Sequence, residues 1–152
     1  MIACASTKEP KPTVAAILGT LPMLLVDDSV SILKMTKRAI LNSHASMAFI
    51  EAKNGQEAYD HVVSTGATFD LIVTDIQMPV CDGFEFTRKV RKLEHEKNLP
   101  AKIVIGISAN DQEKISMEAK ESGMDGFMHK PFKLATLMEV IGDITNRRKK
   151  VH

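Results

Sequence analysis

The chain is poor in cysteine, with only Cys4 and Cys81 among 152 residues. These two cysteines have no zinc-type spacing and suggest no disulfide framework. We therefore interpret both as reduced thiols, and we expect a cytoplasmic protein. This scarcity argues against a disulfide-stapled domain and against a cysteine-based metal domain.

The chain also lacks an excess of charge of either sign. It has 20 Lys and Arg residues against 19 Asp and Glu residues, a net charge of +1. This balance gives no indication of direct binding to nucleic acid or to an anionic membrane. The basic run at 147–150 is short, and we interpret it as a solvated helix end that interacts favourably with the helix dipole.

No apolar run is long enough to cross a membrane, which takes about 20 residues. The longest candidate, Val14–Val26, contains Gly19 and Pro22 and stops at two aspartates. We interpret its second half as a strand and residues 1–20 as a leader or linker. We therefore expect this domain to make no membrane contact.

What the chain does contain is a regular alternation of apolar runs and amphipathic segments. The predicted strands are 24–26, 48–52, 71–74, 102–107 and 127–129. Ser29, Asn54 and Asp82 are placed to cap the helices that follow three of them. Five strand–helix units of this length predict an α/β protein, with a doubly wound parallel sheet and helices on both faces.

For two of the predicted helices, the spacing of the apolar residues indicates which face packs against the sheet. The first has one apolar face, formed by Ile32, Thr36, Ala39 and Ile40. The third has an inner face formed by Phe86, Val90 and Leu93. The far end of the third helix, residues 88–97, is rich in charge, and we expect it to be solvated surface.

Groups suited to a metal or a phosphate follow four of the predicted strands. Asp27 and Asp28 follow the first strand, Asp75 the third, Ser108 the fourth and Lys130 the fifth. The carboxyl ends of parallel strands lie along one edge of a sheet, where doubly wound folds bind their ligands. The sequence therefore predicts one pocket that contains acids, a hydroxyl and an ammonium group.

Three carboxylates in one pocket need a cation. Two unit charges about 4 Å apart repel by roughly 4 kcal/mol at an effective dielectric near 20. Asp27 and Asp28 alone are explained by helix capping beside Ser29, but their convergence with Asp75 favours a metal site. Oxygen ligands in an open site select a hard divalent ion, so we expect Mg²⁺, with Mn²⁺ as a substitute.

Asp75 also has the chemistry of a nucleophile. A carboxylate can attack a phosphoryl group and form an aspartyl-phosphate. Lys130 is the candidate cation for the transferred charge, and Ser108 is a candidate donor to a phosphoryl oxygen. The X-Pro bond at Pro131 can turn the chain and direct Lys130 into the pocket. The alternatives are an ordinary surface lysine and a serine bonded to backbone.

Four short motifs resemble the receiver domain of two-component response regulators. They are VDDS at 26–29, TDIQMP at 74–79, ISAN at 107–110 and KPF at 130–132. The resemblance covers residues 21–146 and leaves 147–152 as a basic tail. It implies a flavodoxin-like sheet of five parallel strands in the order 2-1-3-4-5.

The resemblance also implies a role for each pocket residue. Asp75 is expected to be the phosphoacceptor and Lys130 to pair with the phosphoryl group. Asp28 is expected to bind Mg²⁺ directly, Asp27 largely through water, and Gln77 through its backbone carbonyl.

Further residues are expected to report the phosphoryl group or to set its lifetime. Ser108 is expected to move towards the phosphoryl group, and Phe127 falls where the family has an aromatic switch, although a core Phe explains the spacing equally well. The face of the fourth helix, fifth strand and fifth helix is expected to change in response. Gln77 and Asn110 occupy positions that tune hydrolysis, and we interpret Cys81 as a small apolar filler.

The resemblance implies a histidine kinase or a histidine phosphotransfer domain as the partner. The charged stretch 91–97, the ISAN motif and the linker-like start favour a receiver of a hybrid sensor kinase, with a free-standing regulator as the alternative. A non-phosphorylated binding module stays possible from sequence. An aspartate-nucleophile phosphohydrolase is disfavoured because Gln77 stands where such enzymes have a second acid. A nucleotide site is disfavoured because no Gly-rich turn follows the first strand.

Overall fold

The computed structural model describes residues 22–42, 48–65, 70–109 and 113–151. The predicted leader at 1–20 lies outside these ranges, as do Cys4 and Asn110. Within the described part of the chain, no helix combines the length and the hydropathy that a membrane crossing requires.

One sheet of five parallel strands forms the centre of the molecule. The strands are β1 Met23–Val26, β2 Phe49–Ala52, β3 Leu71–Asp75, β4 Ile103–Ser108 and β5 Gly126–His129. Their order is β2-β1-β3-β4-β5, and every neighbouring pair is parallel. The predicted doubly wound, flavodoxin-like order 2-1-3-4-5 is therefore confirmed.

Five described helices cover the two faces of the sheet. They are α1 Val30–Leu41, α2 Gly55–Thr65, α3 Gly83–Lys97, α4 Glu113–Ser122 and α5 Leu134–Val151. Helices α1 and α5 pack on one face, where Leu33, Ile40 and Leu137 join a buried cluster. Helices α2, α3 and α4 pack on the other face, around buried residues such as Ala58 and Phe86. The strands read as apolar runs because both of their faces are buried.

The three predicted helix caps are confirmed. Ser29 Oγ accepts from the Ile32 N–H at 3.3 Å, and Asp82 Oδ1 accepts from the Glu85 N–H at 2.8 Å. Asn54 Oδ1 accepts from the Glu57 N–H, also at 2.8 Å. Each cap satisfies a backbone donor that the helix itself leaves unpaired. The caps therefore fix the start of each helix close to the strand end that precedes it.

Helix α1 is rotated slightly from the orientation that its apolar stripe predicted. Leu33, Thr36 and Ile40 are buried, whereas Ile32 and Ala39 are only half-buried. The prediction missed Leu33 because positions 32 and 33 are both apolar, so spacing alone does not decide between them. Ile32 and Ala39 instead face the segment that follows β5, where they line a groove.

The charged end of α3 is not simply solvated surface, so that expectation was wrong for two of its residues. Glu94 is 7% exposed, and Arg91 is half-buried. Arg91 Nη1 lies 2.9 Å from Glu94 Oε1, and Arg91 Nη2 lies 2.7 Å from Asp125 Oδ2. The Arg91–Asp125 pair fastens α3 to the loop before β5, whereas the Arg91–Glu94 pair lies within α3.

The predicted basic tail at 147–152 begins as a continuation of α5, which runs to Val151. Arg148 Nη2 lies 3.2 Å from Asp125 Oδ2, and Arg147 donates to the Asp125 carbonyl at 2.8 Å. The run is a helix end, as expected, but of its two arginines Arg147 is exposed and Arg148 is half-buried, so the expectation of a solvated surface was wrong for Arg148 only. Both arginines fasten the end of α5 to the same loop.

Candidate functional site

The residues predicted to form a pocket follow strands that are in register. The ladder pairs Val26 with Thr74, Thr74 with Gly106, and Ser108 with His129. Because the strands are parallel and aligned, their carboxyl ends meet at one edge of the sheet. Asp27, Asp75 and Lys130 therefore come together although they are far apart in the chain.

The three aspartates form an open cluster of oxygen ligands. Carboxylate oxygens of Asp27, Asp28 and Asp75 all lie within 4.8 Å of one another. Asp27 and Asp75 are buried, at 6% and 5% exposed, whereas Asp28 is exposed. Oxygen donors at one exposed edge suit a hard divalent cation that keeps some of its waters. The cluster therefore fits a hard divalent cation such as Mg²⁺ in donor type.

Lys130 places its ammonium group between the two buried carboxylates. Its Nζ lies 3.2 Å from Asp75 Oδ1 and 3.8 Å from Asp27 Oδ2. The Lys130 N–H donates to the Ser108 carbonyl at 2.9 Å, which continues the β4–β5 ladder beyond the strand. The Lys130–Pro131 peptide bond is cis. The structure therefore supports the pocket cation rather than an ordinary surface lysine.

Burial dominates the electrostatics of the two inner acids. It raises the pKa of Asp27 from 3.8 to about 6, although a hydrogen bond from the Ser29 N–H at 2.9 Å opposes the shift. Burial also raises the pKa of Asp75, while the nearby Lys130 ammonium lowers it. One ammonium group thus compensates only part of the cost of burying two carboxylates. A second cation in the pocket would favour their charged forms.

Two residues that support Asp75 were not recognised from the sequence. The Thr74 hydroxyl, which is fully buried, donates to the Asp75 carbonyl at 2.9 Å. Gly83 donates its N–H to the Ile76 carbonyl at 2.8 Å, and a Cβ on Gly83 would lie 2.6 Å from the Asp75 carbonyl oxygen. Glycine is therefore required where α3 begins against the end of β3. The adjacent cap residue Asp82 was the available signal.

The loop between β3 and α3 contains Gln77, which is close to Asp75 in the sequence. Gln77 is exposed and lies two residues after Asp75. The same loop exposes Val80, which is 82% exposed and has a φ of 72°. Cys81 is 3% exposed and is a free thiol whose pKa burial raises to about 11. The filler interpretation of Cys81 agrees with this burial and with a poorly ionised thiol.

Ser108 and Phe127 lie on β4 and β5, the two strands between Asp75 and the edge of the sheet. Ser108 is completely buried at the end of β4. Phe127 is half-buried and packs against the core of the α2–α4 face. Its ring lies 5.0 Å from the ring of His129, with an interplanar angle of 86°. These positions allow both a switch and a core role for Phe127.

Comparison with known proteins gives sequence matches over most of the chain. The sequence model of the response regulator receiver domain matches residues 23–142. Hybrid signal transduction histidine kinase L of Dictyostelium discoideum is 34% identical over 143 residues, which are 90% of this chain and 8% of that kinase. The chemotaxis protein CheY of Halobacterium salinarum is 34% identical over 122 residues, which are 80% of this chain and 94% of that protein.

Solved structures agree with this match. The receiver domain of Ssk1 from Saccharomyces cerevisiae, crystallised with the histidine phosphotransfer protein Ypd1, has a TM-score of 0.70 and 26% identity. That similarity covers 82% of this chain and 88% of the other. Parallel strands that carry acids and a lysine to one edge suit several classes of phosphate-handling protein. The sequence match over residues 23–142 decides among them, and the chain belongs to the receiver domain family of two-component response regulators.

Proposed function

We propose that Asp75 accepts a phosphoryl group from a phosphohistidine of a partner protein. The observation that carries this proposal is the position of Asp75: it is 5% exposed, lies beside two further aspartates and has Lys130 Nζ at 3.2 Å. A buried carboxylate with a fixed ammonium group beside it is suited to forming an acyl phosphate. Asp27 and Asp28 are too close to it to serve as independent surface acids.

The reaction is a direct transfer. A carboxylate oxygen of Asp75 forms a bond to phosphorus as the bond from phosphorus to the histidine nitrogen breaks. The Lys130 ammonium group neutralises charge on the transferred group, which is the main contribution that a protein makes to phosphoryl transfer. Burial keeps the Asp75–Lys130 pair away from bulk water and so strengthens it.

Asp28, Asp75, Asp27 and the backbone carbonyl of Gln77 are the proposed holders of Mg²⁺, with Mn²⁺ as a substitute. Asp28 is the exposed member of the cluster and would bind directly, whereas Asp27 would act largely through water. When bound, the ion neutralises phosphoryl oxygens and removes the repulsion among the three acids. The raised pKa of Asp27 supports this, because the pocket is under-compensated with Lys130 alone.

We propose that Ser108 and Phe127 report the phosphoryl group. A hydrogen bond from Ser108 to that group would favour one of two conformations of the β4 end. Phe127, two strand residues before His129 on the neighbouring strand, would then change its packing against the α2–α4 core. The affected face is that of α4, β5 and α5. Gln77 and Asn110 are the residues that we expect to set the lifetime of the phosphoryl group.

The proposed partner is a histidine kinase or a histidine phosphotransfer domain. Relatives of the matched region include hybrid histidine kinases, and a similar solved receiver is paired with a phosphotransfer protein. We propose that residues 21–146 form the receiver of a hybrid sensor kinase in the cytoplasm. A free-standing regulator is the alternative, supported by the match to CheY.

A phosphotransfer assay tests the proposal. A histidine phosphotransfer domain phosphorylated with radiolabelled phosphate is mixed with this chain and Mg²⁺, and the label is followed on a gel. Label should move to the wild-type chain and should stay on the donor with Asp75→Asn. Label on the Asp75→Asn chain would contradict the assignment. Sustained release of phosphate from a generic phosphoester would instead indicate a phosphohydrolase, which the amide side chain of Gln77 disfavours.

A further inference from the structure

A small cavity lies behind the acidic cluster, between α1 and the sheet. It has a volume of about 30 Å³. Most of its wall is apolar, but four polar side chains also line it: Asp27, Thr36, Asp75 and Lys130. A single ordered water needs about 10–15 Å³ measured in the same way, together with two to four polar partners. The cavity meets both requirements.

The Thr36 hydroxyl is the polar group that needs an explanation. Thr36 is 6% exposed, and its hydroxyl makes no hydrogen bond to any residue that the structure describes. Two other helical threonines behave differently: Thr87 and Thr145 donate to the carbonyl four residues earlier, at 2.7 and 2.8 Å. Buried hydroxyls are nearly always hydrogen-bonded, to protein or to water. Thr36 therefore requires a partner that the described residues do not supply.

A second observation comes from the neighbouring ion pair. Asp27 Oδ1 accepts from the Ser29 N–H at 2.9 Å, which leaves Oδ2 for another partner. Asp27 Oδ2 lies 3.8 Å from Lys130 Nζ, too far for a direct hydrogen bond. Polar groups separated by more than about 3.5 Å are commonly bridged by water. Asp27 and Lys130 line the same cavity as Thr36.

We propose that this cavity binds one ordered water molecule that bridges Thr36, Asp27 and Lys130. The water accepts from the Lys130 ammonium, donates to Asp27 Oδ2 and takes its third hydrogen bond from or to the Thr36 hydroxyl. Three hydrogen bonds are typical of a buried water. Thr36 is thereby a positioning residue: through the water it fixes where α1 holds the Asp27 carboxylate relative to Lys130.

The substitution Thr36→Val tests the water directly, since valine keeps the shape of threonine and lacks the hydroxyl. High-resolution crystal structures of the metal-free wild type, Thr36→Val and Thr36→Ser are compared. The wild type and Thr36→Ser should show one density peak within hydrogen-bond distance of Asp27 and Lys130, and Thr36→Val should not. A dry cavity in the wild type, or a peak that stays unchanged in Thr36→Val, overturns the proposal.

Magnesium titration by calorimetry tests the positioning role, which rests on the proposed metal site. Mutating a residue that positions a metal-binding side chain typically lowers metal affinity by tenfold or more. Because Asp27 is proposed to act through water, we expect a smaller effect: Thr36→Val should weaken Mg²⁺ binding about three- to tenfold. Thr36→Ser should bind within about twofold of the wild type, and Thr145→Val, remote on α5, should do the same. Unchanged affinity in Thr36→Val after loss of the water overturns the positioning role. Absence of Mg²⁺ binding in the wild type contradicts the metal site alone, since the density test is made without metal.

Discussion

Lys130 Nζ lies 3.2 Å from Asp75 Oδ1, although β4 lies between β3, which carries Asp75, and β5, which Lys130 directly follows. The lysine side chain therefore extends over the end of β4, across the position of Ser108, to reach the acid. The same ammonium group lies 3.8 Å from Asp27 Oδ2. One cation thus serves two buried carboxylates, and this geometry determines how the pocket responds to protons, metal and phosphate.

Replacing Lys130 should slow phosphorylation while leaving the fold intact. In Lys130→Met the transferred group loses its fixed cation, and losing one such electrostatic contact reduces a rate by about 10²–10³-fold. The initial rate with a small-molecule phosphodonor and Mg²⁺ measures this. Lys133→Met, an exposed lysine of the same loop, is the matched control and should react like the wild type. A rate within threefold of wild type for Lys130→Met would remove the lysine from the mechanism.

The raised pKa of Asp27 should make the metal-free protein less stable as the pH rises. The pKa of Asp27 is about 6 in the folded protein against 3.8 ordinarily, so the folded state binds more protons between these values. The free energy of unfolding should then fall between about pH 4 and pH 7, by about 3 kcal/mol for a shift of about two units. Asp75, whose pKa is also raised, adds to the same trend.

Urea denaturation in chelator across this pH range provides the measurement. Asp27→Asn should remove most of the decline, because its side chain does not ionise. A stability that instead rises from pH 4 to pH 7 in the wild type would mean that the two acids are better compensated in the folded state than their burial indicates.

Magnesium should stabilise the protein through the aspartate cluster. A ligand that binds only the folded state adds about 2.7 kcal/mol at a concentration 100 times its Kd. The midpoint temperature of thermal unfolding should rise when Mg²⁺ is added and return to its original value when a chelator is added. Asp28→Asn should lose most of this shift, whereas Asp143→Asn, an exposed acid on α5, should keep it. An equal shift in both variants would show that the ion binds elsewhere.

The carboxylate of Asp125 should contribute much more to the free energy of unfolding than an exposed acid that pairs with α3. Its Oδ2 accepts from Arg91 Nη2 at 2.7 Å, from the Val104 N–H at 2.9 Å and from Arg148 Nη2 at 3.2 Å. Removing it takes this acceptor from all three donors, of which Arg148 Nη2 keeps the Lys102 carbonyl at 3.1 Å. Asp125→Ala should therefore reduce the free energy of unfolding by about 3 kcal/mol.

Glu118→Ala is the matched control for Asp125→Ala. Glu118 of α4 pairs with Arg88 of α3 at 3.8 Å, but both side chains are 52% exposed. Exposed pairs contribute at most about 1 kcal/mol. Chemical denaturation of the two variants compares them, and similar losses would show that the Asp125 contacts are not a specific clamp.

The sheet and the pocket were predictable because local rules determine them. Alternating apolar runs and amphipathic helices allow few arrangements other than a parallel sheet, and a parallel sheet places Asp27, Asp75 and Lys130 at one edge. A helix cap such as Ser29 bonds to a backbone N–H only three positions along the chain, so the residue type and its place before a helix are enough to predict it.

The Asp125 clamp was not predictable for the opposite reason. Arg91 and Arg148 have partners more than 20 positions away, and in the sequence each appears as one charge among many on a polar stretch. The rotation of α1, which buries Leu33 in preference to Ile32, depends on packing against the sheet and not on spacing alone. The role proposed for Thr36 likewise depends on the cavity that this residue lines, which the sequence does not reveal.

The central claim is that Asp75 is the phosphoacceptor, and intact-mass spectrometry tests it most directly. The protein is incubated with a small-molecule phosphodonor and Mg²⁺, and its intact mass is then measured. We predict a gain of one phosphoryl group in the wild type, and no gain in Asp75→Asn or in the presence of chelator. No gain in the wild type, or an equal gain in Asp75→Asn, would contradict the account.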